Sequence, residues 1–225
     1  MPGELLDVTG DAREEAVLRA TEVLRRGELV VLPTDTFYGV AADAFNAQGT
    51  GRLFAAREQP RRVPLSVLVR SPKQLAGLTT IVPEAAERLV AAYWPGPLTI
   101  VLHAEPNLRW ELGRTEGTVA VRMPLDDLAL AVVRAVGPVA STAASRRGGP
   151  APTTAEAARD QLGEAVELYL DDGARPGRSA STVVDLTRRQ PHVLRDGPLD
   201  SAEVLKVARG ELDPFAATMP DDRDA

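Results

Sequence analysis

At 225 residues the chain is long enough for one α/β domain with a substantial core, and its 44% apolar and 26% charged content is that of an ordinary globular protein. A net charge of −6 argues against a protein that coats nucleic acid nonspecifically, because that mode needs a basic footprint, and the absence of cysteine excludes disulfides, thiolate nucleophiles and cysteine zinc sites. No apolar run approaches the roughly 20 residues of a membrane span and the first residues do not have the layout of a signal peptide, so a cytoplasmic protein with no membrane partner is expected.

In chain order, Asp11 to Arg26 carries Ala16, Val17, Ala20, Val23 and Leu24 at helical spacing, with Asp11 as the predicted N-cap and Gly27 as the stop. Leu29 to Leu32 is a continuous aliphatic run of the kind found in a strand buried on both faces. Pro33 ends it, since proline cannot donate to a sheet ladder, and delivers the chain to a loop with Thr34, Asp35, Thr36, Tyr38 and Gly39. Polar side chains just past the carboxyl end of a buried strand either bind a ligand or cap the next helix. Ala47 to Arg57 is a second helix, and Arg57 to Pro64 is a loop with three arginines between prolines, returning to a strand at Leu65 to Val69.

A helix over Pro83 to Tyr93 is broken by Trp94-Pro95-Gly96-Pro97 before the strand Leu98 to Leu102. Val119 to Pro124 is another short strand, and Arg122 near its end would be a buried arginine in need of an anionic partner. Asp126 to Val136 is helical. Pro138 to Thr142 is a strand opening into the loop Ala143 to Pro152, where Arg146, Arg147, Gly148 and Gly149 are compatible with a phosphate-binding nest. Thr153-Thr154-Ala155-Glu156 begins a helix running to Leu162, Glu167 to Leu170 is a strand, Arg178 to Leu186 enters another through small hydroxyls, and Pro191 to Arg195 enters the last. Asp200 to Gly210 is the terminal helix, and Glu211 to Ala225 is predicted to be a loose acidic tail after a single domain over 1–210.

Strands interleaved with helices indicate an α/β fold, and the closing run of strands favours a mixed sheet. Only Lys73 and Lys206 are lysines, so nearly all positive charge is arginine, which clamps carboxylates and phosphates rather than moving protons. The histidines, His103 and His192, lie far apart, and no phosphate-loop, dinucleotide or zinc motif occurs. Hydroxyls, several arginines and no metal cluster suit a substrate bearing a carboxylate and phosphates.

Six segments in this order carry a resemblance: P-T-D-T-F-Y-G-V at 33–40, P-L-S-V-L-V at 64–69, W-P-G-P-L-T at 94–99, V-A-V-R-M-P at 119–124, P-A-P-T-T at 150–154, and S-T-V-V-D-L-T with V-L-R-D-G within 181–197. Over roughly Ala16 to Leu199 the chain resembles the YrdC-type family, the threonylcarbamoyl-adenylate synthases of tRNA modification. The resemblance implies a twisted mixed α/β sheet with flanking helices and a large open groove that binds ATP, with magnesium accompanying it, together with threonine and bicarbonate. It further implies that threonine and bicarbonate become a carbamate that is adenylated with release of pyrophosphate, and that partner proteins of tRNA modification act downstream.

By position the resemblance places Thr34, Thr36 and Tyr38 on the threonine and ATP pocket, Arg122 against an anionic group of the substrate, Ser181 and Thr182 on the nucleotide, and Arg195 on phosphate. Two segments depart from the family's pattern. Arg57-Glu58-Gln59-Pro60 stands where the family has lysine, one residue, then arginine before proline, and Ala143-Ala144-Ser145 stands where it has Ser-Ala-Asn. Arg57 keeps the charge, Thr142 or Ser145 can supply the lost donor, and no residue is singled out as the catalytic base. The departures leave open a sibling that uses another carbamate, or a non-catalytic nucleotide- or RNA-binding protein that uses a local patch of loop arginines.

Overall fold

The computed structural model describes residues 3–8, 12–177 and 179–220 of the chain. Ten strands are β1 (Glu4–Asp7), β2 (Val30–Leu32), β3 (Gly39–Asp43), β4 (Ser66–Leu68), β5 (Leu98–His103), β6 (Thr118–Arg122), β7 (Val139–Ala143), β8 (Leu168–Asp171), β9 (Thr182–Asp185) and β10 (His192–Arg195). They form one sheet in the order β1-β8-β2-β3-β7-β4-β6-β5-β9-β10. Four pairs are parallel (β1 with β8, β8 with β2, β4 with β6, β5 with β9) and the other five are antiparallel, so the expected mixed sheet is present among the described residues. Seven helices accompany it among the described residues: α1 (Arg13–Arg25), α2 (Ala47–Ala56), α3 (Leu75–Leu78), α4 (Glu84–Tyr93), α5 (Asp127–Val136), α6 (Ala155–Leu162) and α7 (Ser201–Arg209).

Side chains alternate across each strand, so one face is read from every second residue. Val31, Val40, Ala42, Val67, Ile100, Val121, Ala140 and Val184 all point to the face covered by α2, α4, α6 and α7, and make the larger core there. Their strand neighbours Val30, Leu32, Ala41, Leu68 and Val139, with Leu168 and Leu170, point the other way and are buried under α1 and α5. Strands β5, β6 and β9 contribute nothing to this second core. Helices α1 and α5 therefore cover only part of their face of the sheet, and the part built from β4, β5, β6 and β9 is left open.

Helix ends follow local chemistry. Asn46, Asp126, Thr154 and Asp200 cap α2, α5, α6 and α7 by accepting from main-chain N–H groups two or three residues on, and Gly210 closes α7 in the left-handed conformation. At α1 the capping position is Ala12, with no side-chain bond, and the expected cap Asp11 lies outside the described residues.

Three expectations are corrected. Pro33 to Tyr38 does not lead into a helix: it is the connection of a hairpin, because Gly39–Asp43 runs antiparallel to β2. Strand β1 was not anticipated, nor was the 3₁₀ turn at Pro72–Gln74 leading into α3. Residues 211–220 are seated on the body, with Leu212, Ala217 and Met219 against the larger core and Thr218 N–H donating to Glu203 Oε1 at 2.7 Å; residues 221–225 lie outside the described residues. No helix among the described residues is long and apolar enough to cross a membrane.

Candidate functional site

The uncovered part of the sheet is the floor of a cavity of about 460 Å³. The floor is made of small and hydroxyl side chains at alternate strand positions: Gly39 on β3, Ser141 on β7, Ser66 and Leu68 on β4, Ala120 and Arg122 on β6, Thr99 on β5 and Val183 on β9. Bulky residues at these positions would bury against nothing, since no helix crosses here. Gly39 is needed for a close approach: a Cβ there would sit 3.0 Å from Ser141 Oγ. The walls are the Thr34–Gly39 turn, the Arg57–Pro64 loop, the start of the loop after β7, and the Ala180–Ser181 approach to β9 with Arg195.

The turn at 34–38 is folded on itself. Thr34 Oγ1 donates to the Phe37 carbonyl at 2.7 Å, accepts from the N–H groups of Thr36 and Phe37, and shares a hydrogen bond of 3.1 Å with Thr36 Oγ1. The loop after β7 straps it in place, since Tyr38 N–H donates to the Pro152 carbonyl and Ala144 N–H to the Tyr38 carbonyl. Tyr38 borders the cavity, but its side chain is fully buried and packs in the larger core. Its hydroxyl is turned away, donating to the Gly173 carbonyl at 2.7 Å and accepting from Asp172 N–H, and burial pushes its pKa up.

Of the four arginines that line the cavity, Arg122, Arg195 and Arg57 have their side chains held under different conditions. Arg122, 7% exposed, donates through Nε to the Gly96 carbonyl, through Nη1 to Thr36 Oγ1 and through Nη2 to Asp35 Oδ1 at 2.6 Å. Asp35 also accepts from Leu125 N–H at 3.0 Å. The anion that a buried arginine requires is thus supplied by the chain's own Asp35. Arg195 donates through Nε to the Ser181 carbonyl and through Nη2 to Ser181 Oγ, each at 3.0 Å, and Ser181 Oγ in turn meets Thr99 Oγ1 at 2.8 Å. Arg57 is held by Ser145 carbonyl, Gln59 and Thr142. Desolvation lowers the pKa of both Arg57 and Arg195, with the positive charge of Arg122 adding to the effect at Arg195. Among the described residues neither has a carboxylate partner.

Of the predicted site residues, Thr34, Thr36, Tyr38, Arg57, Arg122, Thr142, Ser181 and Arg195 line this one cavity. Thr182 and Ser145 do not. Thr182 is fully buried, with Oγ1 accepting from Leu199 N–H, because its neighbour Ser181 takes the cavity side of β9 and adjacent strand residues face opposite ways. Ser145 is 2% exposed and acts through its carbonyl on Arg57. Sequence reasoning did not single out Ser66, Thr99 and Ser141, which line the cavity, or Asp35 as the partner of Arg122; Gln59 and Arg147, named as a departure and as part of a nest, also line it. The Gly148-Gly149 nest is not formed, as Gly149 N–H closes a turn onto the Arg146 carbonyl.

The described lining contains no aspartate, glutamate, histidine or lysine, and no group of three potential metal ligands occurs among the described residues. The arrangement is chemically a cationic, hydroxyl-rich receptor that can hold anions and orient them, without a side chain suited to proton transfer near neutral pH.

Residues 22–197 match the family model described as "Telomere recombination", which groups Sua5, YciO and YrdC proteins. A Mycobacterium tuberculosis (strain ATCC 25618 / H37Rv) protein named "Putative threonylcarbamoyl-AMP synthase" is 42% identical over 205 residues, covering 90% of this chain and 94% of that protein. The threonylcarbamoyl-AMP synthase of Bacillus subtilis (strain 168) is 34% identical over 206 residues, which are 90% of this chain and 60% of the relative. Among solved structures, P. abyssi Sua5 complexed with L-threonine matches with a TM-score of 0.85 at 34% identity, over 91% of this chain and 60% of that one. E. coli YciO matches with a TM-score of 0.77 at 25% identity, over 87% and 95%. The chain spans about three fifths of the longer relatives and nearly the whole of the shorter ones.

Proposed function

The chain belongs to the Sua5/YciO/YrdC family, and on that footing we propose that it is a threonylcarbamoyl-AMP synthase, joining threonine, bicarbonate and ATP into threonylcarbamoyl-AMP with release of pyrophosphate. The observation that carries the reading is a cavity lined by Arg57, Arg122, Arg147 and Arg195 with seven serine and threonine residues and no described carboxylate. Such a lining receives a polyanion and a carboxylate together and offsets their mutual repulsion.

In this reading the threonine amine and bicarbonate give a carbamate and water. A carbamate oxygen then attacks the α-phosphorus of ATP, the bond to the bridging oxygen breaks, and pyrophosphate leaves with the electron pair. Two anions must be brought into contact, so the contribution of the chain is positioning and charge. Thr34 and Thr36 shape the amino-acid end, and the buried Tyr38 side chain anchors the turn that carries them. Arg195 and Ser181 face the nucleotide, and Arg57 with Thr142 faces the phosphates. Magnesium travels with the nucleotide, and no step is assigned to it here. The product serves tRNA modification in the cytoplasm, where ATP and tRNA meet.

The test is incubation of the purified chain with ATP, threonine and bicarbonate, reading pyrophosphate and the adenylate by mass spectrometry. Formation of both, dependent on all three substrates, is the expected result. Pyrophosphate release that requires an amine other than threonine would place the chain as a sibling with another carbamate. No nucleotide-dependent product beside an active relative would refute the enzyme reading.

A further inference from the structure

Arg57 follows α2 and its guanidinium is held on two edges by oxygens. Nε donates to the Ser145 carbonyl at 2.7 Å, and Nη1 donates to Gln59 Oε1 at 2.8 Å and to Thr142 Oγ1. Gln59 is itself fixed, because its Nε2 donates to the Val63 carbonyl at 2.8 Å. Three features of this clamp belong together. Every acceptor on Arg57 is neutral. The remaining nitrogen, Nη2, makes no hydrogen bond among the described residues. Both Arg57 and Gln59 line the cavity.

The same cavity shows the alternative treatment of a cation. Arg122 is held by a carboxylate, Asp35, which fixes its geometry and cancels its charge. A carboxylate at position 59 could accept the Arg57 Nη1 hydrogen bond equally well in geometry, but would spend the guanidinium's charge inside the protein. A basic residue at 59 could not accept it at all. A neutral amide accepts from Arg57 on one side and donates to the backbone on the other, so it orders the guanidinium without neutralising it.

We propose that Gln59 is a positioning residue: a neutral clamp that aims Arg57 into the cavity and reserves its charge for a phosphate group of the substrate. The identity of that anion rests on the synthase reading; the clamp itself rests on the hydrogen bonds.

The test uses the full chain and inorganic pyrophosphate as the probe, with affinity read by calorimetry and folding by thermal melting. Gln59→Glu keeps an acceptor near Arg57 and adds a negative charge while losing the donor to the Val63 carbonyl, so pyrophosphate affinity drops about tenfold or more while the melting temperature changes by only a few degrees, the new ion pair offsetting the lost bond. Gln59→Met removes the acceptor and adds no charge, and loses only about threefold. A side chain that merely packs would give the opposite order, with the loss following the fall in melting temperature. Wild-type affinity in Gln59→Glu, or a larger loss in Gln59→Met, overturns the clamp while leaving the synthase reading intact. A wild-type chain that binds neither pyrophosphate nor ATP overturns both.

Discussion

Removing Asp35 is the sharpest test of how the cavity is built. Its carboxylate and the Arg122 guanidinium have side chains 12% and 9% exposed, 2.6 Å apart, so the Asp35→Ala change leaves a buried cation without its counter-ion and Leu125 N–H without its acceptor. Breaking a buried pair from one side costs about 3–5 kcal/mol, far more than an exposed pair of the same length. For a chain of this size each kcal/mol lowers the melting temperature by about 2–4 °C, which gives a fall of roughly 6–20 °C. Asp35→Asn separates charge from hydrogen bonding, since an amide oxygen still serves Arg122 and Leu125; it should lose about half as much. The double change Asp35→Ala with Arg122→Met should recover a large part of the loss, because the orphaned charge has gone. Thermal and urea unfolding of wild type, these three variants and Arg122→Met measure all of this. A loss under about 1 kcal/mol in Asp35→Ala, or a double variant as unstable as the sum of its singles, would refute the pairing as the reason Arg122 is tolerated in the core.

Gly197→Ala should destabilise by about 3 kcal/mol in a urea melt, because a Cβ there would lie 2.3 Å from Thr182 N and 2.5 Å from the Ala180 carbonyl oxygen, both backbone atoms that cannot step aside. Ser181→Ala removes one of the two bonds that anchor Arg195 and leaves Thr99 Oγ1 without this partner; pyrophosphate affinity should fall a few-fold in calorimetry at a stability cost of about 1 kcal/mol, and unchanged affinity would contradict the anchoring role. Burial raises the Asp126 carboxyl above its ordinary value of 3.8, an effect that outweighs the Ala129 N–H and the Arg175 charge. The native state therefore holds this proton more tightly than the unfolded chain, so its contribution is full below that ordinary value and is lost as pH rises through the raised one. The stability of wild type relative to Asp126→Asn should accordingly shrink from pH 4 upward in melts at successive pH values; a difference that grows with pH would mean the Arg175 pairing wins over burial.

What could be read from the sequence was mostly what local chemistry controls. Aliphatic runs marked β2, β4, β5, β6 and β7 to within a residue or two, and the Asp126, Thr154 and Asp200 caps marked helix starts. Strand β3 escaped because Gly39-Val40-Ala41-Ala42-Asp43 is poor in the residues that favour strands, and its hairpin connection is six residues long rather than a two-residue turn. Partners distant in sequence were invisible: Asp35 finds Arg122 across 87 positions, and Tyr38 finds Gly173 across 135. The error over Thr182 was avoidable, since adjacent residues at the entry to β9 cannot both face the cavity and the burial of Val184 already assigns Thr182 to the core side.

The site follows from an incomplete layer. A sheet with helices on both faces fills both with aliphatic side chains, and Val30, Leu32, Ala41 and Val139 do so under α1 and α5. At β5, β6 and β9 that second layer is missing, so Thr99, Ala120, Arg122 and Val183 occupy positions whose strand neighbours Ile100, Val121 and Val184 are fully buried on the opposite face. Rigidity therefore comes from the packed side, and the open side is free to carry polar groups without weakening the core. The same division explains the charges. Arg122, rooted in the floor and almost fully buried, needs a permanent counter-ion and has Asp35. Arg57 and Arg195 stand on the walls, where solvent and ligand can reach them, and neutral oxygens suffice to hold them. Positive charge is thus left without a described carboxylate partner on the walls and is paired at the floor, where the remaining polar groups are hydroxyls.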